Sequence, residues 1–162
     1  MKVITKANAV QRARNLIQHL GYEQCSKPKR NMHEGIFQRR INLFDLYHCV
    51  VTIKLQSFIR ATEHQPFPFS KLRANICVSH GEAFRERVPF PFDLFYADVD
   101  IVEDAFEDNL TNSLTSFGDY LSEFNRRIDL LFPLLIQLEQ ARRHIRNLEE
   151  ACRELKNIRR HS

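Results

Sequence analysis

The sequence has no tryptophan, four glycines, six prolines and four cysteines in 162 residues. So few turn-formers favour long regular elements. The glycines (Gly21, Gly35, Gly81, Gly118) are scattered, which excludes a glycine-rich phosphate loop and a dinucleotide fingerprint. Ser79-His80 has no Gly-x-Ser-x-Gly elbow around it, so no local signature of a serine nucleophile exists. Cys25, Cys49, Cys77 and Cys152 follow no recognisable spacing and are expected as reduced thiols. His48-Cys49 and Cys77…His80 would point to opposite faces of strands, and opposed pairs cannot converge on one zinc. The expectation is a buried Cys49, a surface His48 and no metal or cofactor. The longest apolar run, Leu130–Ile136, contains Pro133 and falls far short of the ~20 residues of a membrane span. Residues 1–10 carry no apolar signal core. A soluble, cytoplasmic chain with no membrane partner and no small-molecule substrate is expected.

What is present is an apolar fraction of 43% with thirteen Phe, enough for a folded core. Charge is segregated. Residues 1–97 hold fifteen Lys/Arg against seven Asp/Glu, residues 98–129 two against nine, and residues 130–162 seven against four. Such asymmetry implies partners chosen by charge, or halves that complement each other.

The most regular stretch is Leu131–Leu155. Leu131, Leu134, Leu138, Ala141, Ile145, Leu148, Cys152 and Leu155 recur at alternating gaps of three and four, a heptad seam. Glu139/Arg143 and Glu149/Arg153 are spaced as i,i+4 ion pairs along it. Pro133 lies within the apolar block, where a mid-helix proline removes a hydrogen bond. With no Gly or Asn nearby to turn the chain, a kink or very tight break is expected there. Leu130–Leu138 is expected to be buried against the body of the domain, leaving Ala141–Ile158 to meet a partner. An acidic rather than basic segment precedes the seam, which excludes a bZIP arrangement.

Elsewhere the periods divide the chain. Thr5 as N-cap, apolar residues from Ala9 to Leu20 and Gly21 as C-terminal cap predict a helix over Lys6–Leu20. Cys25–His33 reads as a basic loop. Alternation predicts strands over Phe37–Leu43 and Tyr47–Gln56 as a hairpin, then Leu72–Val78, Phe84–Val88 and Leu94–Ile101. Pro66-Phe67-Pro68-Phe69 and Pro89-Phe90-Pro91-Phe92 should be extended. Their Phe side chains are expected to fold over the core; the alternative is an exposed aromatic surface. Apolar spacing turns helical after Glu103, with a weak or broken start in the Ser/Thr/Asn-rich Asn109–Gly118. The expected fold is α+β: an N-terminal helix, an antiparallel sheet of four to five strands, and a long Pro-kinked C-terminal helical segment with a coiled-coil-like arm. The expected division is 1–102 as α+β body and 103–162 as helical segment.

Three functions follow. The first is a non-enzymatic binding or adaptor protein that docks another protein, or a second copy of itself as an oligomer. Leu138, Ala141, Ile145, Leu148, Cys152 and Leu155 form its contact. The second is a nucleic-acid-binding protein with Lys27, Lys29, Arg30, Arg40, Lys54 and Arg73 on a basic sheet face. The third is a metal-dependent enzyme at the acidic run Asp98, Asp100, Glu103, Asp104, Glu107 and Asp108, set against a solvated helix start whose acids complement the dipole.

Overall fold

A computed structural model describes residues 2–43, 47–58, 69, 71–82 and 95–161. An N-terminal helix, a five-stranded antiparallel sheet and a long C-terminal helix give an α+β arrangement.

Helix α1 spans Lys6–His19. Thr5 is extended and its side chain accepts from the Asn8 N–H at 3.2 Å, satisfying one orphan donor. Ala9, Val10, Ala13 and Ile17 form its buried stripe. Gly21, at φ 95°, ends it: Gly21 N–H donates to the Gln18 carbonyl and Tyr22 N–H to the Ile17 carbonyl. These are the paired bonds of a Schellman cap, which needs a left-handed residue.

The sheet runs β1 (Glu23–Ser26), β2 (Gly35–Leu43), β3 (Tyr47–Phe58), β4 (Lys71–Glu82) and β5 (Phe95–Val102), each antiparallel to its neighbour and in chain order. The hairpin of β2 and β3 pairs Phe37 with Ile53 and Ile41 with Cys49. Alternation sends Phe37, Cys49, Val51, Ile53, Leu55, Leu72, Ala74, Ile76 and Val78 inward, all buried. Cys49 is thus in the core and His48 half-buried on the other face. β1 replaces the start of the expected loop. It has no apolar alternation to announce it, being exposed or half-buried throughout, and its register shifts between Gln24 and Ser26. A short, polar, bulged strand suits a sheet edge, where apolar alternation would invite pairing with other chains. The expected strand Phe84–Val88 and the second Pro-Phe quartet lie outside the described residues. Of the first quartet, Phe69 is described and is buried.

Helix α2 spans Glu107–His161, through Pro133. Its start is not broken at Asn109–Gly118. Thr111 and Thr115 turn their hydroxyls back to the Glu107 and Thr111 carbonyls at 3.0 and 3.1 Å, while Leu110, Leu114 and Phe117 are buried. Tertiary burial outweighs weak helix propensity there.

Two compact units result, 1–126 and 127–162. The division falls within α2, and Leu110, Leu114, Phe117, Leu121 and Phe124 are buried within the first unit. Within that unit α1 and α2 are tied together. Arg12 donates to Glu107 at 2.8 Å and to Thr111 at 3.0 Å. The Tyr22 hydroxyl donates to Asn125 Oδ1 at 2.5 Å, and Asn125 Nδ2 to the Leu20 carbonyl at 3.3 Å. The chain before α1 holds the entry to α2: Ile4 N–H donates to the Ala105 carbonyl and Glu107 N–H to the Lys2 carbonyl.

Candidate functional site

In residues 127–162 all six expected contact residues are exposed. Leu138, Ile145, Leu148 and Leu155 keep 45%, 55%, 53% and 63% of their surface, and Ala141 and Cys152 are open as well. Of twelve exposed large apolar residues among those described, eight lie on this stretch, so the exposed apolar surface is concentrated on one helix. Leu130, Leu131, Leu134 and Leu138 were expected to be buried, and they are exposed. Phe132, Ile136 and Glu139 are the buried residues. With Leu131 as the first heptad position, those three fall on the side opposite the seam. The expected burial of Leu130–Leu138 thus holds for Phe132 and Ile136 and fails for the leucines of the seam, because both stripes of the helix are apolar near Pro133. Glu139 is held by Arg146 at 3.2 Å and Arg143 at 3.7 Å.

Of the six cations expected on one basic sheet face, Arg40, Lys54 and Arg73 alternate to the outer face of the sheet and the other three lie in a connection. Arg73 is on the outer face, but β5 lies beside it: Asp100 accepts from Arg73 at 2.7 Å and from Lys71 at 3.2 Å. Glu103 stands 3.6 Å from Lys71, and Asn75 donates to Asp98 at 2.8 Å. The Arg73 hydrogen bond, against the effect of burial and with help from Lys71, holds the Asp100 carboxyl below its usual range. Arg40 lies opposite Val50, and Lys54, opposite Ile36 on β2 and Asn75 on β4, is diagonal to Arg73. Lys27, Lys29 and Arg30 lie between β1 and β2. The acidic run is therefore largely engaged by the chain's own residues. Asp104 accepts from the Phe106 N–H at 3.0 Å and from Asn109 at 2.7 Å, and Glu107 meets Arg12. Among the described residues no three His, Cys, Asp or Glu converge as metal ligands.

A feature the sequence reading missed is a cleft of about 730 Å³. Its walls come from the first residue of α1 (Lys6), the loop before β2 (Lys29, Arg30, His33) and the end of β3 (Ser57, Phe58). Lys29 N–H donates to the His33 carbonyl while Met32 and His33 N–H groups return to the Lys29 carbonyl, so the loop closes on itself. Glu34 anchors it, accepting from Lys6 at 2.8 Å and Ser57 at 2.5 Å. The basic cluster Lys27–Arg30 was the one sequence signal for this place; the residues across from it are remote in sequence.

No protein-family model, curated protein or solved structure matches this chain. Among the described residues no helix is long and apolar enough to cross a membrane.

Proposed function

We propose that the chain is a non-enzymatic binding protein that works through the seam of α2, pairing with the same seam of a second copy. The observation that supports this reading is the coincidence of a heptad repeat with exposure: Leu138, Ile145, Leu148 and Leu155 recur at seam spacing and remain half-open. A helix face with that spacing fits a like face, because each residue is both a knob and part of a hole. Each of these side chains has about half of a ~1.5–3 kcal/mol burial term still to gain. Association costs roughly 4–15 kcal/mol, so a reversible, concentration-dependent dimer is expected rather than a permanent one.

Sedimentation equilibrium of the whole chain tests this. A concentration-dependent dimer, lost in Ile145→Glu/Leu148→Glu with an unchanged circular dichroism spectrum, supports the reading. A monomer at the highest soluble concentration, or a dimer that survives the double substitution, refutes it.

A further inference from the structure

The cleft beside α1 carries a second inference, independent of the seam. Its volume of about 730 Å³ suits a small ligand. Four observations say which kind. Lys29 and Arg30 are exposed at its edge, and among the described residues no carboxylate bridges either of them. The acid in the lining, Glu34, is already engaged by Lys6 and Ser57. His33 is 7% exposed, and its Nδ1, shielded from water, has no hydrogen-bond partner. Buried polar atoms are nearly always paired, so His33 brings a ring nitrogen with an unused hydrogen bond to the lining of a basic cleft. Phe58, in the same lining, is still 40% exposed, with the Arg73 guanidinium 5.4 Å above its ring.

We propose that this cleft binds a nucleotide phosphate. The phosphate oxygens accept from Lys29 and Arg30, close to the His33 imidazole, and the base rests on Phe58 and Met32. Arg and Lys suit phosphate by charge and donor number, and an aromatic face suits any base. Burial and the charges of Lys54 and Lys29 lower the His33 pKa, with Glu34 opposing them. A bound dianion reverses that field, so His33 should become easier to protonate on binding.

Nuclear magnetic resonance of the His33 ring in the full chain provides the test. The probes are AMP, inorganic pyrophosphate and a short single-stranded oligonucleotide. The expected result is a shifted His33 resonance and a raised His33 pKa with AMP or the oligonucleotide. Lys29→Glu/Arg30→Glu, both at exposed positions, should weaken binding at least ~10-fold, as loss of two phosphate contacts implies. Phe58→Ala should weaken AMP but not pyrophosphate. Tighter AMP identifies a free nucleotide as the source. A tighter oligonucleotide with a steep salt dependence identifies a strand. An unmoved His33 with all three probes overturns the proposal, as does undiminished affinity in the double charge reversal. Pyrophosphate matching AMP with Phe58 intact overturns the assignment of a base.

Discussion

Replacing Glu34 by Gln tests how α1 is fixed to the sheet. The Glu34 carboxylate accepts from Lys6 at the start of α1 and from Ser57 near the end of β3. Its main-chain carbonyl separately accepts two bonds from Arg14. Burial raises the carboxyl's pKa, but the hydrogen bonds from Lys6 and Ser57, with the charges of Lys6 and Arg14, outweigh it, and Glu34 sits below its ordinary value. Gln keeps the shape and one acceptor oxygen while losing the charge. Charge-assisted bonds contribute roughly 1.5–3 kcal/mol against about 0.5–1.5 for neutral ones. Lys6 is 39% exposed, so part of its attraction is screened. A loss of about 1 kcal/mol at pH 7 is expected. A depressed carboxyl contributes its stability above the unfolded-state value near 4.5 and loses it as the pH falls through the folded value. The gap between wild type and Glu34→Gln should therefore close in acid. Urea unfolding of both proteins at neutral pH and at about pH 3, below the ordinary Glu range, measures this. Lys6→Met should cost much less in the Gln background, whereas most of the cost of Arg14→Met, which removes bonds to a main-chain oxygen, should persist. An equal gap at both pH values, or a Lys6→Met cost unchanged by Glu34→Gln, would refute the reasoning.

The other expectations concern the core, the helices, the sheet face and pH. Phe37 is fully buried at the centre of the inner sheet face, so Phe37→Ala should cost about 3–5 kcal/mol in chemical denaturation. Gly118 lies inside α2, where a methyl would meet the half-buried Leu16 Cδ1 at 3.3 Å. Because Leu16 can shift, the helix-propensity gain should prevail and Gly118→Ala should stabilise by up to ~1 kcal/mol, seen as a higher melting temperature. Asp100→Asn should release Arg73 and Lys71, cost about 1 kcal/mol or less, and make any salt-dependent anion binding to the outer sheet face stronger. His33, with its pKa lowered, favours folding fully above the unfolded value of 6.5 and loses that contribution as the pH drops below it. Stability measured from pH 7 to 5 should fall less in His33→Phe than in wild type.

Periodicity made the fold legible wherever one face is buried. The alternation of Cys49–Leu55 and Leu72–Val78 marks central strands, and the spacing of Ala9–Ile17 with Thr5 and Gly21 marks a capped helix. β1 was invisible because its four residues are exposed or half-buried and give no inward apolar row to alternate. The start of α2 was misjudged because propensity says nothing of what Leu110, Leu114 and Phe117 pack against. The seam was legible as a repeat, and so was the exposure of Ile145, Leu148 and Leu155. Within Leu130–Leu138, period alone cannot say which of two apolar stripes is covered: Phe132 and Ile136 are, and Leu130, Leu131, Leu134 and Leu138 are not. The cleft was least legible of all. Its residues come from three elements, and only their folding together leaves His33 buried without a partner.

The charge asymmetry of the sequence resolves by the same logic. A basic first half and an acidic stretch from Asp98 onward suggest partners chosen by charge, or halves that complement each other. Within the first unit, acids of that stretch meet bases of the first half: Asp100 beside Arg73 and Lys71, Glu103 beside Lys71, Glu107 beside Arg12. Pairs this exposed contribute little individually. Their larger effect is to cancel the field over the outer face of β4 and β5, where a phosphate backbone would otherwise be drawn. Lys29 and Arg30, within the β1–β2 connection, have no ion pair with an acid among the described residues. Lys54 adds its charge at His33. Lys29, Arg30 and Lys54 thus give this cleft a field that attracts anions, and its volume suits a compact phosphate better than a long duplex.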